Sequence, residues 1–387
     1  MSTGRTGPGY DRHVITFSER ATFRACERRW LYRYVQRLSP IEEKAGARTF
    51  GSAFHVGGEL LDAGAGLDAA LDGAKQYLLQ HADELEPEEE DLDEASNLGL
   101  AQERLAWMVR HYAEVTATER ENLVPLLVEE VFVVPIPRVD GRGGPLYGTG
   151  RLDRVYFDRA HGDVVVVDRK TKATTAAMLD IERKADVDEQ ATKYILAVRE
   201  LLKRGAIRPP DGDLVPDLRN ATCRRFVYHV ARRAAPREPK VNQNGTVSVA
   251  ACDTDYATWS AALAAQAARG VTPKPDVAEK QLAISQSLME QGDRFFARFE
   301  TYREPWQLER FAADLYVDGA RMREAERDPR RATRNTTHCY AYGRGCEFLP
   351  ICTSPDGDRM DSDARSLYKV RDHRHPELVV VDDREEG

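Results

Sequence analysis

Residues Gly148–Lys172 read GTGRLDRVYFDRAHGDVVVVDRKTK, two β-prone runs separated by Arg159-Ala160-His161-Gly162. Valine, tyrosine and phenylalanine favour strands, and a short polar segment ending in glycine favours a reversal between them. With those four residues as the turn, Asp153 stands opposite Asp168 in an antiparallel pair, and opposed residues share a sheet face. Their β-carbons would lie about 4.5–5.5 Å apart, close enough for both carboxylates to bind one hard cation. Side chains two residues apart point the same way along a strand, so Lys170 shares the face of Asp168. Val155 and Phe157 occupy that face too, and Asp153 interrupts an apolar side. Acids on a buried strand face are costly without a counter-charge. A divalent ion removes that cost and supplies Lewis-acid chemistry, with Lys170 placed to orient water or offset charge on a phosphate. The plain alternative is a surface hairpin with an Asp168 ion pair, and a one-residue bulge would undo the register.

Working outward, LLVEEVFVVPI upstream reads as a third strand. Downstream, ADVDEQATKYILAVRELLKRG reads as an amphipathic helix ended by Gly205, and CRRFVYHVARR as the next strand. Three strands, a helix and a strand predict an α/β core with a mixed sheet. A hairpin around KVNQNGTVSV, a helix at DTDYATWSAALAAQ, a strand at RFFARFETY and a helix from Pro305 to Arg327 extend it. Residues 50–125 read as helical, AQERLAWMVRHYAEV most clearly. Near the N-terminus, Ser18 is placed to cap a helix through ATFRACERRWLYRYVQRL, with Phe23, Trp30, Leu31 and Tyr34 at helical spacing. The chain thus divides into a basic N-terminal segment (1–45), a helical region (46–125), a core with extensions (126–330), a cysteine-rich segment (331–355) and a tail (356–387). The tail, rich in Asp and Arg, is expected to be mobile apart from LVVVDD.

With 42% apolar and 31% charged residues, 387 residues suffice for a large folded core. No run approaches the roughly 20 apolar residues of a membrane span, and MSTGRTGPGYDRH lacks a signal-peptide core, so a cytoplasmic protein with no membrane partner is expected. The formal charge of −8 superficially opposes a nucleic-acid partner. Its distribution is uneven: residues 1–40 carry eight Arg and three acids, whereas Asp83–Glu94, read as an exposed connection, holds nine acids in twelve positions. Arg20, Arg24, Arg28 and Arg33 can line one side of the first helix, either as a track for a DNA strand or as an ordinary solvated face. No GxxxxGK(S/T) motif occurs, so no ATP motor is expected.

Asp153-x14-Asp168-x-Lys170-Thr171, preceded by Gly150 and followed by Gln190-x3-Tyr194, resembles the signature of RecB-like PD-(D/E)-x-K nucleases, among them AddB-like and CRISPR-associated exonucleases. The resemblance implies a restriction-endonuclease-like mixed-sheet core in which Asp153 and Asp168 are metal ligands and Lys170 is the catalytic lysine. It further implies that Gln190 and Tyr194 help position DNA or water. GSAFHVGGELL resembles the segment bearing the family's metal-binding histidine, here His55, and Glu129 or its neighbour Glu130 resembles an accessory acidic position. Arg169 departs from the bulky apolar residue expected between the acid and the lysine.

Cys339, Cys346 and Cys352 form C-x6-C-x5-C, and Cys26 lies far upstream. Four thiolates suit zinc or an iron–sulfur cluster. The layout resembles the iron–sulfur exonuclease branch, which implies a [4Fe–4S] cluster joining the chain's two ends; the x5 gap matches, while x6 exceeds the usual x2. Cys223 and Cys252 have no partners at ligand spacing. The expectation is a Mg²⁺- or Mn²⁺-dependent DNA exonuclease acting at single-stranded ends, in recombination, repair, phage DNA processing or CRISPR adaptation, alone or with a recombination or helicase partner. The alternatives are a non-catalytic DNA-binding scaffold with a zinc or iron–sulfur staple, and an endonuclease or RNase on the same core.

Overall fold

A computed structural model describes residues 14–41, 46–85, 94–138, 145–207, 218–341, 344–356, 363–375 and 378. The chain opens with β1 (Val14–Ile15), α1 (Phe17–Ala25), α2 (Glu27–Trp30), a π turn at Leu31–Val35 and β2 (Leu38–Pro40). Four helices follow: α3 (Gly46–Asp62), α4 (Leu67–Gln80), α5 (Glu94–Val115) and α6 (Ala117–Asn122). The central strands are β3 (Leu123–Pro135), β4 (Tyr147–Asp158) and β5 (Asp163–Lys172). After α7 (Thr175–Ala185) and α8 (Glu189–Lys203) come β6 (Cys223–Arg232), α9 (Tyr256–Ala268), α10 (Pro275–Gln291), β7 (Phe296–Tyr302) and α11 (Pro305–Arg327). The C-terminal part contributes β8 (Tyr340–Ala341), β9 (Arg344–Gly345), α12 (Leu349–Thr353) and β10 (Tyr368–Val370).

The expected mixed sheet is present. Strand β5 is antiparallel to β4 and parallel to β6, β6 is antiparallel to β7, and β3 is antiparallel to β4. On one face Val155, Phe157, Val164, Val166 and Phe226 pack against Ile195 and Val198 of α8. The other face meets the α3–α5 layer, whose own core includes Phe54, Leu105 and Tyr112. Strand periodicity of two makes this possible, because each central strand must feed two apolar layers alternately. The β4–β5 ladder runs from Asp158↔Asp163 only to Arg154↔Val167; beyond it β5 stays with β6 while β4 stays with β3. On the side of β4 away from β3, pairing resumes only at Tyr147 and Gly148, with β1. The sheet therefore opens between residues 149 and 153, where Asp153 sits.

Several local expectations need correction. Thr16, not Ser18, caps α1, its Oγ1 accepting from the Glu19 N–H at 3.0 Å. The first helix is not continuous: Cys26 takes extended backbone (φ −164°, ψ 115°) and divides it. No Gly or Pro marks the break, which tertiary packing imposes by folding Trp30 back edge-on to Phe23 at 5.1 Å. The four apolar residues spaced along it still enter one core, with Phe311 and Leu315 of α11. The KVNQNGTVSV hairpin reduces to a single bridge, Val241↔Val247, and α7 and α10 were not expected. The tail is partly tied down, since β10 pairs antiparallel with β2 and Arg374 donates to Glu19 and Glu326. Most of the acidic run, and LVVVDD beyond Leu378, lie outside the described residues.

Helix α3 can approach α4 and α5 closely because Gly57 has no side chain. A Cβ there would meet Val109 Cγ2 at 2.9 Å and the Ala70 carbonyl oxygen at 3.2 Å. Gly57→Leu should destabilise the fold by about 1–3 kcal/mol through overpacking, since the helix-propensity gain of at most about 1 kcal/mol is smaller. Urea denaturation would register this as a lower midpoint, and an unchanged midpoint would refute the packing argument.

Candidate active site

The turn at Arg159–Gly162 forms as expected, with Gly162 at φ +70° and its N–H donating to the Asp158 carbonyl at 2.7 Å. It sets a register in which Asp153 and Asp168 are the next pair beyond Arg154↔Val167, where the strands separate. The Arg169 backbone N–H donates to Asp153 Oδ2 at 3.4 Å, seating that carboxyl beside Asp168. Lys170 Nζ lies 2.9 Å from Asp168 Oδ2 and donates to Gln190 Oε1 at 3.1 Å. Gln190 Nε2 in turn donates to Asp168 Oδ1 at 3.2 Å. Asp188 places Gln190 by capping α8, accepting from the Gln190 N–H at 2.6 Å. Tyr194, one turn further on, is buried edge-on to Phe132. Gly150 makes room for this pair, because a Cβ there would come within 3.1 Å of the Phe132 ring.

Helix α3 brings the remaining groups. His55 Nδ1 is 3.9 Å from Asp153 Oδ2. Ligand atoms of His55, Glu59 and Glu129 all lie within 4.8 Å of one another. Glu129, not Glu130, is the acid that faces the site, and its backbone is left-handed at φ +49°, a strain on the order of 1–3 kcal/mol. Glu59 escaped the sequence reading. It stands four residues after His55, the spacing that puts two side chains on one helix face.

Burial of the acids dominates the electrostatics. Burial, reinforced by Asp153 and Glu59, pushes Glu129 up to about 8. Burial likewise pushes Asp168 up to about 7, with Lys170 pulling the other way, and it also raises Asp153 and Glu59. Lys170 responds in the opposite sense to its burial, because Asp168 and Asp153 hold its ammonium above the ordinary lysine range. Burial and the nearby Arg169 guanidinium lower His55 to about 4, leaving a neutral imidazole suited to metal ligation. Asp168 Oδ2 is fully buried and, although Lys170 is near, receives no well-aligned hydrogen bond. An oxygen-rich donor set with one neutral imidazole and an orphaned carboxylate oxygen fits a hard divalent cation.

Arg169, the departure noted between acid and lysine, points to the opposite face. It is buried, pairs with Asp62 and donates to Tyr112 Oη at 2.9 Å. The basic stripe is also different from the expected one. Arg20 is buried, donating to Glu189 and Asp318 at 2.7 Å each, and Arg24 joins the same two acids. Arg33 and Arg29 pair with Glu347, and the Arg28 backbone N–H donates to the Thr333 carbonyl at 3.1 Å. Arg20 and Arg24 thus tie α1 to α8 and α11, while Arg24 keeps a solvent-facing side chain.

Cys26, Cys339, Cys346 and Cys352 line one small cavity. The long x6 gap is absorbed by the β8–β9 hairpin, which pairs Tyr340 with Gly345 and lets the Cys346 N–H reach the Cys339 carbonyl at 2.7 Å. Among the described residues no three of the four sulfurs lie within 4.8 Å of one another. That is wider than the roughly 3.8 Å separation implied by tetrahedral zinc–thiolate bonds of about 2.3 Å. Cys223 is buried in the main core and Cys252 lies apart.

Among the described residues no helix is long and apolar enough to cross a membrane. No curated protein matches the chain. Residues 14–353, a span that includes β1, the opened sheet, the acid cluster and all four cavity cysteines, match the sequence profile of one family. By that match the chain belongs to the PD-(D/E)XK nuclease superfamily.

Proposed function

We propose that this protein is a Mg²⁺- or Mn²⁺-dependent deoxyribonuclease that digests DNA from single-stranded ends. One observation carries the reading: Asp153, Asp168 and Lys170 converge where β4 and β5 separate, with Gln190 bridging the last two. Asp153, Asp168, His55, Glu59 and Glu129 would hold the metal. When bound, a divalent ion supplies Lewis-acid polarisation of the scissile phosphate and a more acidic water. Gln190 fixes both Lys170 and the Asp168 carboxylate. Lys170 then offers its ammonium to an incoming water or to the phosphate oxygens as charge develops. Tyr194, packed against Phe132, supports Gln190 from one turn away. The preference for an end over an internal bond rests on the cysteine arrangement, which resembles that of the iron–sulfur exonucleases apart from its longer first gap. Recombination, repair, phage DNA processing or CRISPR adaptation, with or without a helicase partner, would each supply such ends.

Labelled single-stranded and duplex DNA, linear and circular, tests the reading directly. Shortening of linear single strands with Mn²⁺, with circles spared, is expected. Asp168→Asn should lower the rate about 10²–10³-fold while the protein remains folded, as loss of a group stabilising the transition state does. An Asp168→Asn protein as fast as wild type would sink the mechanism, and cleavage of circles would turn it into an endonuclease.

The raised carboxyl pKa values give a pH dependence. Acids titrating near 7 to 8 when folded and near 4 when unfolded stabilise the metal-free protein at low pH, and that contribution is lost as pH rises toward about 8. A cation displaces the same protons, so its affinity should climb over this window while His55 stays neutral. The rise in Tm on adding Mg²⁺ should be several degrees larger at pH 8.5 than at pH 6.0. An equal rise at both would contradict the site.

The four cavity cysteines are proposed to hold a [4Fe–4S] cluster with a structural role. Anaerobically purified protein should be brown. Cys346→Ser or Cys352→Ser should remove iron, sulfide and colour and lower Tm, whereas Cys252→Ser should alter none of these. Stoichiometric zinc without iron would favour the zinc alternative.

A further inference from the structure

Each site aspartate is followed by an arginine, Asp153-Arg154 and Asp168-Arg169. Alternation along the strand sends the acids to the α8 face and the arginines to the α3 face. Both guanidiniums converge there on the last turn of α3. Arg169 Nη2 donates to the Gly58 carbonyl at 2.7 Å, its Nη1 reaches the His55 carbonyl at 3.5 Å, and it pairs with Asp62. Arg154 Nη1 donates to the same Gly58 carbonyl at 3.2 Å and also pairs with Asp62. Tyr156 Oη donates to Asp62 at 2.8 Å, and the Arg169 guanidinium lies 4.9 Å over the Tyr112 ring.

We propose that Arg154 and Arg169 are positioning residues: together they clasp the His55–Glu59 turn of α3 onto β4 and β5. They thereby set the distance between the helical and strand halves of the metal site. The proposal rests on the metal reading above for its functional consequence, but the clasp itself is a statement about α3. The carbonyls that accept from Arg169, those of His55 and Gly58, belong to the turn that carries the two helical ligands. Gly58 is the opening through which the fork reaches them, because a Cβ there would lie 2.4 Å from Arg169 Cζ. Stability alone does not call for two arginines. Asp62 would be neutralised by Arg154, and a buried ion pair is often no better than apolar packing of the same volume. Two forks on successive strands, gripping one carbonyl and one carboxylate, instead fix a relative position.

Arg169→Met tests this, because it fills the space and leaves Asp62 paired one-to-one with Arg154. In metal-free protein, amide hydrogen exchange across residues 54–62 should accelerate relative to wild type while the sheet amides keep their protection. Mn²⁺ affinity, read by electron paramagnetic resonance, should fall about 10–100-fold, as is usual when a residue supporting metal ligands is lost. At saturating Mn²⁺, kcat should fall with KM for DNA little changed. Gly58→Ala should reproduce the defect, and the double variant with Arg169→Met should lose less than the sum of the two, since both remove one contact. If Arg169→Met does not fold, Arg169→Lys, which keeps the charge but not the fork, should show the same two changes. Wild-type exchange in α3, or faster exchange with undiminished Mn²⁺ affinity, would overturn the proposal. Wild-type protein that binds no Mn²⁺ would strike at the metal reading instead, with the exchange result still deciding whether the clasp exists.

Discussion

Two carboxylates are forced together at the point where two paired strands separate, and most of the surrounding structure answers to that contact. Two unit charges about 4 Å apart at an effective dielectric of about 20 repel by roughly 4 kcal/mol. Burial resists the ionisation of these acids, and at Glu129 and Asp168 the neighbouring Asp153 carboxylate adds to it. Lys170 relieves part of it directly. On the proposed reading a divalent cation would relieve the rest. Violation of ordinary burial rules at one place, inside a core that otherwise obeys them, is the signature of a site and not of a fold requirement.

The same two strands serve opposite purposes on their two faces. Toward α8 they present Asp153, Asp168 and Lys170 amid Val155, Phe157 and Val166. Toward α3 they present Arg154 and Arg169, both buried. Neither set is independent of the other, because the backbone that carries Asp168 also carries Arg169. A shift of β5 by one residue would exchange acid for arginine on both faces at once. The hairpin register, fixed at Gly162, is therefore the common determinant of metal site and clasp.

This explains what the sequence disclosed. The turn, the two strands and the Asp153–Asp168 opposition depend on contacts a few residues apart, and local chemistry specifies them. Pro305–Arg327 was equally legible, with proline in its first turn and a capping box between Glu304 and Gln307. Helix α10 carried comparable marks, Pro275 at its start and Gly292 just past its end, but few buried residues, so its periodicity was faint. Glu59 was hidden for another reason. Its spacing from His55 was visible, but that the pair faces Glu129 depends on how α3 lies on the sheet, a long-range matter of Gly58, Asp62 and two arginines. The pairing of the tail with β2 is likewise decided by partners hundreds of positions away.

The N-terminal arginines illustrate how charge alone misleads. Arg20 and Arg24 resemble a basic stripe in sequence, but the structure spends them on Glu189 and Asp318. Glu189 opens α8 immediately before Gln190, the residue that holds Lys170 and Asp168. Two residues past Arg24, capping the C-terminal end of the same helix, stands Cys26, whose Sγ accepts from the Asn335 N–H at 3.5 Å beside the other three cysteines. A cluster fixing those four thiols would hold α1, α1 holds the first turn of α8 through two guanidiniums, and that turn carries Gln190, which accepts from Lys170. On that reading the cysteine module would bear on the acid site through position alone, with no thiol needing to approach the acids.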